Sequence, residues 1–236
     1  MAMSLIEPNT VHCVDCMEGL KEMPDNYVDL AIVDPPYGRG EAGGRSRTHA
    51  AVQKNGTKSV VRGEYQKKDW DTPPGASYFF ELFRVSEHQI VWGCNYQAAI
   101  WDSGRIVWDK CNDGAAQSGC EIAFCSKTER VDLFRFMWRG MMQGSGVMNG
   151  GVQQGNKQKT EKRVHPTQKP VDLYKWLLQN YAKEGDLILD THMGSGSSYI
   201  ACLDMGFDYI GYEIDEDYFE AIEARTYQFT RQETLF

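Results

Sequence analysis

Eight short apolar runs punctuate this chain, at residues 10–14, 28–33, 89–92, 105–108, 121–125, 133–138, 187–189 and 209–212. Stretches with helical spacing of apolar residues fall between many of them, at 17–23, 76–85, 171–182, 197–203 and 216–229. A run of four to eight apolar residues reads as a strand buried on both faces. Strands of that kind alternating with helices can dry both faces only by forming a mostly parallel sheet with helices on either side. At 236 residues and 42% apolar, the chain can bury a sizeable core. No uninterrupted apolar stretch approaches membrane-spanning length, and Met1-Ala2-Met3-Ser4 lacks a basic-then-apolar start. A cytoplasmic protein is expected. No internal repeat is visible.

Two of the runs end in unusual chemistry. The run 28–33 stops at Asp34-Pro35-Pro36-Tyr37. Each proline fixes its own φ and disfavours the helical region for the residue before it, so a stiff, extended corner forms at a strand's carboxyl end. That corner presents one carboxylate, main-chain carbonyls without ladder partners, and one aromatic plate. A flat, amino-bearing ligand fits such a set, with acceptors at its amine and a ring against its face. The plainer reading is a strand followed by a turn.

The run 187–189 leads into Asp190-Thr191-His192-Met193-Gly194-Ser195-Gly196-Ser197-Ser198 and then a helix. Glycines between strand and helix let a ligand approach the main chain closely. Glu213, 23 residues beyond Asp190, stands near the spacing at which an acid meets ribose hydroxyls. Two carboxylates around a glycine turn favour a nucleoside that carries a cationic or amino group. A dinucleotide site would need glycine at position 199, where Tyr199 stands.

The net charge of −8 argues against a nucleic-acid partner until its distribution is read. Residues 39–68 hold Arg39, Arg45, Arg47, Lys54, Lys58, Arg62, Lys67 and Lys68 against two acids, a net of +6. Residues 139–163 hold Arg139, Lys157, Lys159, Lys162 and Arg163 against Glu161, a net of +4. Two basic, glycine-containing segments on an otherwise acidic body point to a polyanion. Residues 140–163 carry six glycines and few large apolar groups, so a flexible segment that orders on binding a partner is expected there. The seven cysteines are scattered, and Cys13-x-x-Cys16 has no second pair at zinc-like spacing, so no metal site is expected.

Taken together, these motifs resemble the amino-directed DNA methyltransferases that use S-adenosylmethionine and modify N6 of adenine or N4 of cytosine. A third signature, His165-Pro166-Thr167-Gln168-Lys169-Pro170, precedes the helix that leads to the glycine turn. The order, catalytic motif first and cofactor motif last, is similar to the circularly permuted group of beta-type order. The match runs from about Thr10 to Arg225. It departs from the family where Thr191-His192-Met193 replaces the usual Pro-Phe.

The resemblance implies an α/β, Rossmann-like class I methyltransferase fold with a mostly parallel seven-stranded sheet. It implies one catalytic domain over residues 1–236, with 39–68 and 139–163 as insertions. Asp34, Pro35, Pro36 and Tyr37 would hold the target base. Asp190, Thr191, His192, Met193, Gly194, Ser195 and Gly196 would border the cofactor. Glu213 would bond its ribose, Asp15 would lie near its adenine, and Thr167 and Lys169 would reach its carboxylate end. Arg39, Arg45, Arg47, Lys54, Lys58, Arg62, Arg139, Lys157 and Lys159 would contact double-stranded DNA. An aspartate in the first motif position favours adenine N6, with cytosine N4 the alternative. C5 methylation is excluded, since no proline here is followed by cysteine. Methylation of RNA or of a protein amide, and a non-catalytic nucleic-acid-binding module, are the rival readings. The group includes homodimers, and no cognate restriction nuclease can be read from the chain.

Overall fold

The computed structural model describes residues 4–40, 68, 70–97, 99, 101–112, 118–139, 142–145 and 161–233. Along them run β1 (Thr10–His12), α1 (Cys16–Glu22), β2 (Val28–Val33), α2 (Ala76–Val85), β3 (Ser86–Trp92), β4 (Arg105–Asp109), β5 (Cys120–Cys125), β6 (Val131–Arg135), β7 (Met137–Arg139), β8 (Met142–Gly144), α3 (Val171–Tyr181), β9 (Leu187–Asp190), α4 (Ser197–Met205), β10 (Asp208–Tyr212) and α5 (Glu216–Glu233).

Eight strands form one sheet in the order β1-β10-β9-β2-β3-β5-β4-β6. The first five are mutually parallel. Strand β5 runs antiparallel to both β3 and β4, and β6 is parallel to β4. The sheet has one strand more than the seven expected. All eight apolar runs find a partner, with β1 closing one edge and β6 the other.

The period of two along a strand explains the layers. In β2, Leu30 and Ile32 join one core with α3, with Ala201 and Cys202 of α4, and with Ile222 of α5. Ala31 and Val33 point the other way, into a second core with α1 and α2. Helix α2 meets that core with Tyr78, Phe79, Leu82 and Val85, which share one face. Each fully buried side chain of this kind contributes roughly 1.5–3 kcal/mol of transfer free energy. Helix α1 begins where the Asp15 carboxylate accepts the Met17 N–H at 2.9 Å.

One expectation about a strand is corrected. Residues 133–138 do not form one strand. The Phe136 N–H makes a last bond to the Asp109 carbonyl at 3.0 Å, and the chain then leaves the sheet. Strand β7 pairs antiparallel with β8 in a separate two-stranded ribbon. Strand β8 thus lies inside the glycine-rich segment. It is anchored by Gln143, whose side-chain amide exchanges two hydrogen bonds with the Glu161 main chain at 2.9 and 2.8 Å.

The pairing that matters most for function is β2 with β9, in parallel register Leu30↔Ile188 and Ala31↔Leu189. Both strands end at the same edge of the sheet, so the proline corner and the glycine turn emerge side by side. No helix among the described residues is long and apolar enough to cross a membrane. None of the seven cysteines is in a disulfide.

Candidate active site

Asp34 leaves β2 half-buried, with Pro35 buried behind it. Three side chains fix the corner. The Tyr37 hydroxyl donates to Asp34 Oδ1 at 2.7 Å. The Lys169 ammonium pairs with Asp34 Oδ2 and reaches the Tyr37 oxygen at 3.2 Å. Gln97 donates to the Pro36 carbonyl at 3.0 Å. Burial, and then the Asp34 charge, push the Tyr37 phenol well above its ordinary value, so it stays a donor at neutral pH. Gly93, just past β3, has φ +67°, and a Cβ there would overlap the Tyr37 ring. On the outer side Tyr96 stands 5.1 Å from Tyr37, ring to ring. The Arg39 guanidinium covers Tyr96 at 4.7 Å.

The glycine turn follows β9. Asp190 is buried and accepts the Ser198 hydroxyl at 2.5 Å and the His192 N–H at 3.0 Å. Burial, reinforced by the charges of Asp34 and Glu213, raises its carboxyl to about 7. Gly194 and Gly196 take φ +53° and +72°, left-handed backbone that glycine adopts freely. Glu213 receives the Gly194 N–H at 2.7 Å and the Asp215 N–H at 2.9 Å. Burial raises its carboxyl too. Tyr78 of α2 bonds Thr191 at 2.6 Å, and Thr191 bonds His192 Nδ1 at 2.9 Å. Burial lowers His192 to about 4, which makes it a neutral ring.

Residues 165–169 join the two halves. His165 is buried against Trp70 at 5.1 Å and Tyr218 at 4.3 Å, and its ring lies where a Cβ on Gly194 would touch it. Four residues on, Lys169 sits at the proline corner. Burial, followed by the Lys169 charge, lowers His165 to about 3, so it too is neutral.

Several expected cofactor residues also have partners within the protein. Asp15 caps α1. Thr167 places its N–H and hydroxyl on His165 Nδ1 at 3.3 and 3.1 Å. Met193 is a core residue, 4% exposed. The Ser195 hydroxyl meets Ser197 at 3.0 Å and its carbonyl accepts Arg225 at 2.6 Å. Lys169 faces Asp34 rather than the glycine turn, because its ammonium is drawn to Asp34 and to Glu121 Oε2 at 3.0 Å. Of the expected DNA contacts, Arg39 stands at the mouth and Arg139 ends β7. Arg45, Arg47, Lys54, Lys58, Arg62, Lys157 and Lys159 lie outside the described residues.

Other residues of the site carry no sequence signal of their own. Glu121, Gln97, Tyr78, Trp70 and Tyr218 are such cases. So is the ion pair of Glu161 with Arg225, which binds α3, the glycine turn and β8 together. Glu161 accepts the Val171 N–H at 3.1 Å and the Gln168 amide at 2.8 Å, and Arg225 bonds Ser197 at 3.1 Å. Only Tyr78 left a hint, as a polar tip on an apolar helix face.

The donor set fits a nucleoside that carries a positive charge. The backbone at Gly194 is only partly buried, and a Cβ there would meet nothing nearer than the His165 ring at 3.7 Å, while Gly196 is buried against Ile222. The carboxylates of Asp34, Asp190 and Glu213 are near enough for the first and last to raise the middle one, a repulsion that a cation between them would relieve.

Comparison with known proteins gives the chain a family and a fold. Residues 28–224 match the family model of the N6/N4-directed enzymes described as DNA methylase. The Type II methyltransferase M.HinfI of Haemophilus influenzae is 25% identical over 256 aligned residues, covering 92% of this chain and 68% of that protein. The Type II methyltransferase M1.MboII of Moraxella bovis is 25% identical over 253, covering 91% and 95%. Among solved structures, a complex of M1.HpyAVI with SAM superposes with a TM-score of 0.53 at 18% identity, covering 92% of this chain and 98% of that one. The cytosine-N4-specific PvuII DNA methyltransferase superposes with a TM-score of 0.54 at 12% identity, covering 92% and 86%.

Proposed function

This chain belongs to the family of DNA methylases directed at exocyclic amino groups, of the restriction-modification kind and dependent on S-adenosylmethionine, and we propose that its target is N6 of adenine in a base turned out of the duplex. The observation that carries the proposal is the Asp34 carboxylate, aimed by Tyr37 and Lys169 at the end of β2 beside the glycine turn of β9. Each carboxylate oxygen accepts two hydrogen bonds, so one bond from the protein on each leaves capacity for an amine. The aspartate in the first position of the motif favours adenine over cytosine by resemblance.

S-adenosylmethionine supplies the electrophilic methyl group. Glu213 would hold its ribose, the backbone of 194–196 would lie along its methionine part, and Asp190 would balance its charge. The target base must first leave the stack, which costs a few kcal/mol. Tyr37 and Tyr96 offer it aromatic faces, and stacking returns about 1–3 kcal/mol. Asp34 and the Pro35 carbonyl then accept from the exocyclic amine. This draws the nitrogen lone pair out of conjugation with the ring and toward the methyl. Nitrogen would gain a bond to the methyl carbon as the methyl–sulfur bond breaks, its electron pair staying on sulfur as a neutral thioether, and Asp34 stabilises the cationic nitrogen until it loses a proton. Placement and fixed charge supply the catalysis, with no covalent bond to the protein.

The remaining parts of the reading follow. Residues 1–236 act as one catalytic domain, with segments 39–68 and 139–163 gripping DNA through phosphate contacts. The test is to incubate the full chain with methyl-labelled cofactor and duplex DNA, digest the DNA to nucleosides, and identify the product by mass spectrometry. N6-methyladenine is expected. N4-methylcytosine would overturn the adenine assignment, and unlabelled DNA beside label in parallel incubations with RNA or protein would overturn the substrate.

A further inference from the structure

Glu121 has no part in the reaction as described so far. It sits on β5, across from Trp108 of β4, and its carboxylate lies between two ammonium groups. Oε1 pairs with Lys110, and Oε2 stands 3.0 Å from Lys169. The Lys169 side chain is only 2% exposed. It donates to Asp34 and to the Tyr37 oxygen, faces Glu121 as an ion pair without hydrogen-bond geometry, and its charge rests near the rings of Tyr37 and Trp92 at 5.5 and 5.4 Å. Asp34, Lys169, Glu121 and Lys110 thus form a row of alternating sign that starts at the proline corner. Burial pushes the Glu121 carboxyl up, but Lys169 and Lys110 outweigh it and hold it at about 2. Burial works against the Lys169 charge, and Asp34 and Glu121 more than restore it. Both groups are therefore ionised at neutral pH.

We propose that Glu121 is a positioning residue for methyl transfer, which shares the Lys169 ammonium so that Asp34 is not consumed as its sole counter-ion. A buried ammonium must be paired. With one carboxylate available, the pair is neutral and Asp34 has little charge left for anything else. With two, the inner trio carries one net negative charge, facing the nitrogen that turns cationic as the methyl arrives. Lys169 still orients Asp34, while Glu121 takes up part of its attraction. Lys110 in turn keeps Glu121 paired on its outer side. The inference rests on Asp34 being the amine acceptor.

The test compares the full chain with E121Q, K169M, E121Q/K169M and Asp34→Ala. It measures cofactor affinity by calorimetry, DNA affinity by fluorescence anisotropy, and methyl transfer in single turnover. E121Q is expected to keep both affinities within about threefold while transfer slows on the order of 10- to 100-fold, the scale for losing one preorganised charge. K169M is also expected to slow transfer. The double variant should be no slower than the slower single, because Glu121 acts only through Lys169. E121Q at the wild-type rate, or losses that multiply in the double variant, would overturn the proposal. Should E121Q alone fail to fold, the double variant against K169M gives the same comparison: equal rates support it, and a further tenfold drop overturns it. An active Asp34→Ala sinks the reading of the amine acceptor itself. An inert Asp34→Ala beside a fully active E121Q sinks only the role of Glu121.

Discussion

The Tyr37 ring owes its place to what residue 93 lacks. With φ at +67° and no room for a Cβ, this position admits glycine alone without displacing the ring. Gly93→Ala should therefore leave a folded chain, with transfer slowed at least tenfold and cofactor affinity kept, as single-turnover assays and calorimetry would register. A variant with an unchanged rate would mean that the ring is free to move without loss. A second residue-scale prediction comes from Asp190, whose carboxyl rises from an ordinary 3.8 to about 7 in the fold. The folded chain holds this proton more tightly than the unfolded one, so Asp190 makes stability fall as pH rises from about 4 to about 7. A bound cation pulls the pKa back down. Cofactor binding should therefore release a proton near pH 6–7 and tighten toward pH 8. Calorimetry in two buffers of different ionisation enthalpy would detect that proton, and equal heats would remove Asp190 from charge balance.

Elements with a continuous apolar run were legible in advance. Val28–Val33 and Leu187–Asp190 need both faces dry, and nothing but a central strand supplies that. Helix α2 was legible for the same reason, since its apolar face has only one period. The β7–β8 ribbon was not, because three-residue strands with mixed polarity carry no period at all. Lys169 was legible as part of a motif, but its partners were not: Asp34 and Glu121 reach it from 135 and 48 residues away. The pair of Glu161 and Arg225 escaped notice likewise, and it ties three elements at once. Burial raises the carboxyl and lowers the guanidinium even though they face each other. Their attraction therefore does not fully offset desolvation, and the pair's worth lies in aligning α3 with the glycine turn. Glu161→Ala should cost about 3–5 kcal/mol by leaving a buried guanidinium unpaired. Replacing both partners by apolar residues of similar size should cost less, though slower transfer is expected. Urea denaturation of the two variants decides: a double replacement worse than the single would show the pair to be a net stabiliser.

At the scale of the whole molecule, charge and chain order set the behaviour. The body is acidic and the two segments proposed to hold DNA are basic, so attraction is local and screened by salt. Binding to duplex DNA should follow a steep log–log dependence on salt, with a slope of about 4 or more if five phosphates are neutralised, and Arg39→Ala should flatten it by about one. Anisotropy titrations from 50 to 200 mM salt would measure this, and a flat response would remove the basic segments from the grip. The sheet has its own consequence in time. Its central joint, β2 against β9, closes across some 158 residues, and β1 lies beyond β10 at the edge. Strand β1 thus waits for β10, 200 residues further along, before it has a neighbour. A fragment that lacks residues 208–213 therefore leaves β1 unpaired and the glycine turn without Glu213, so the two halves of the site come together late in folding.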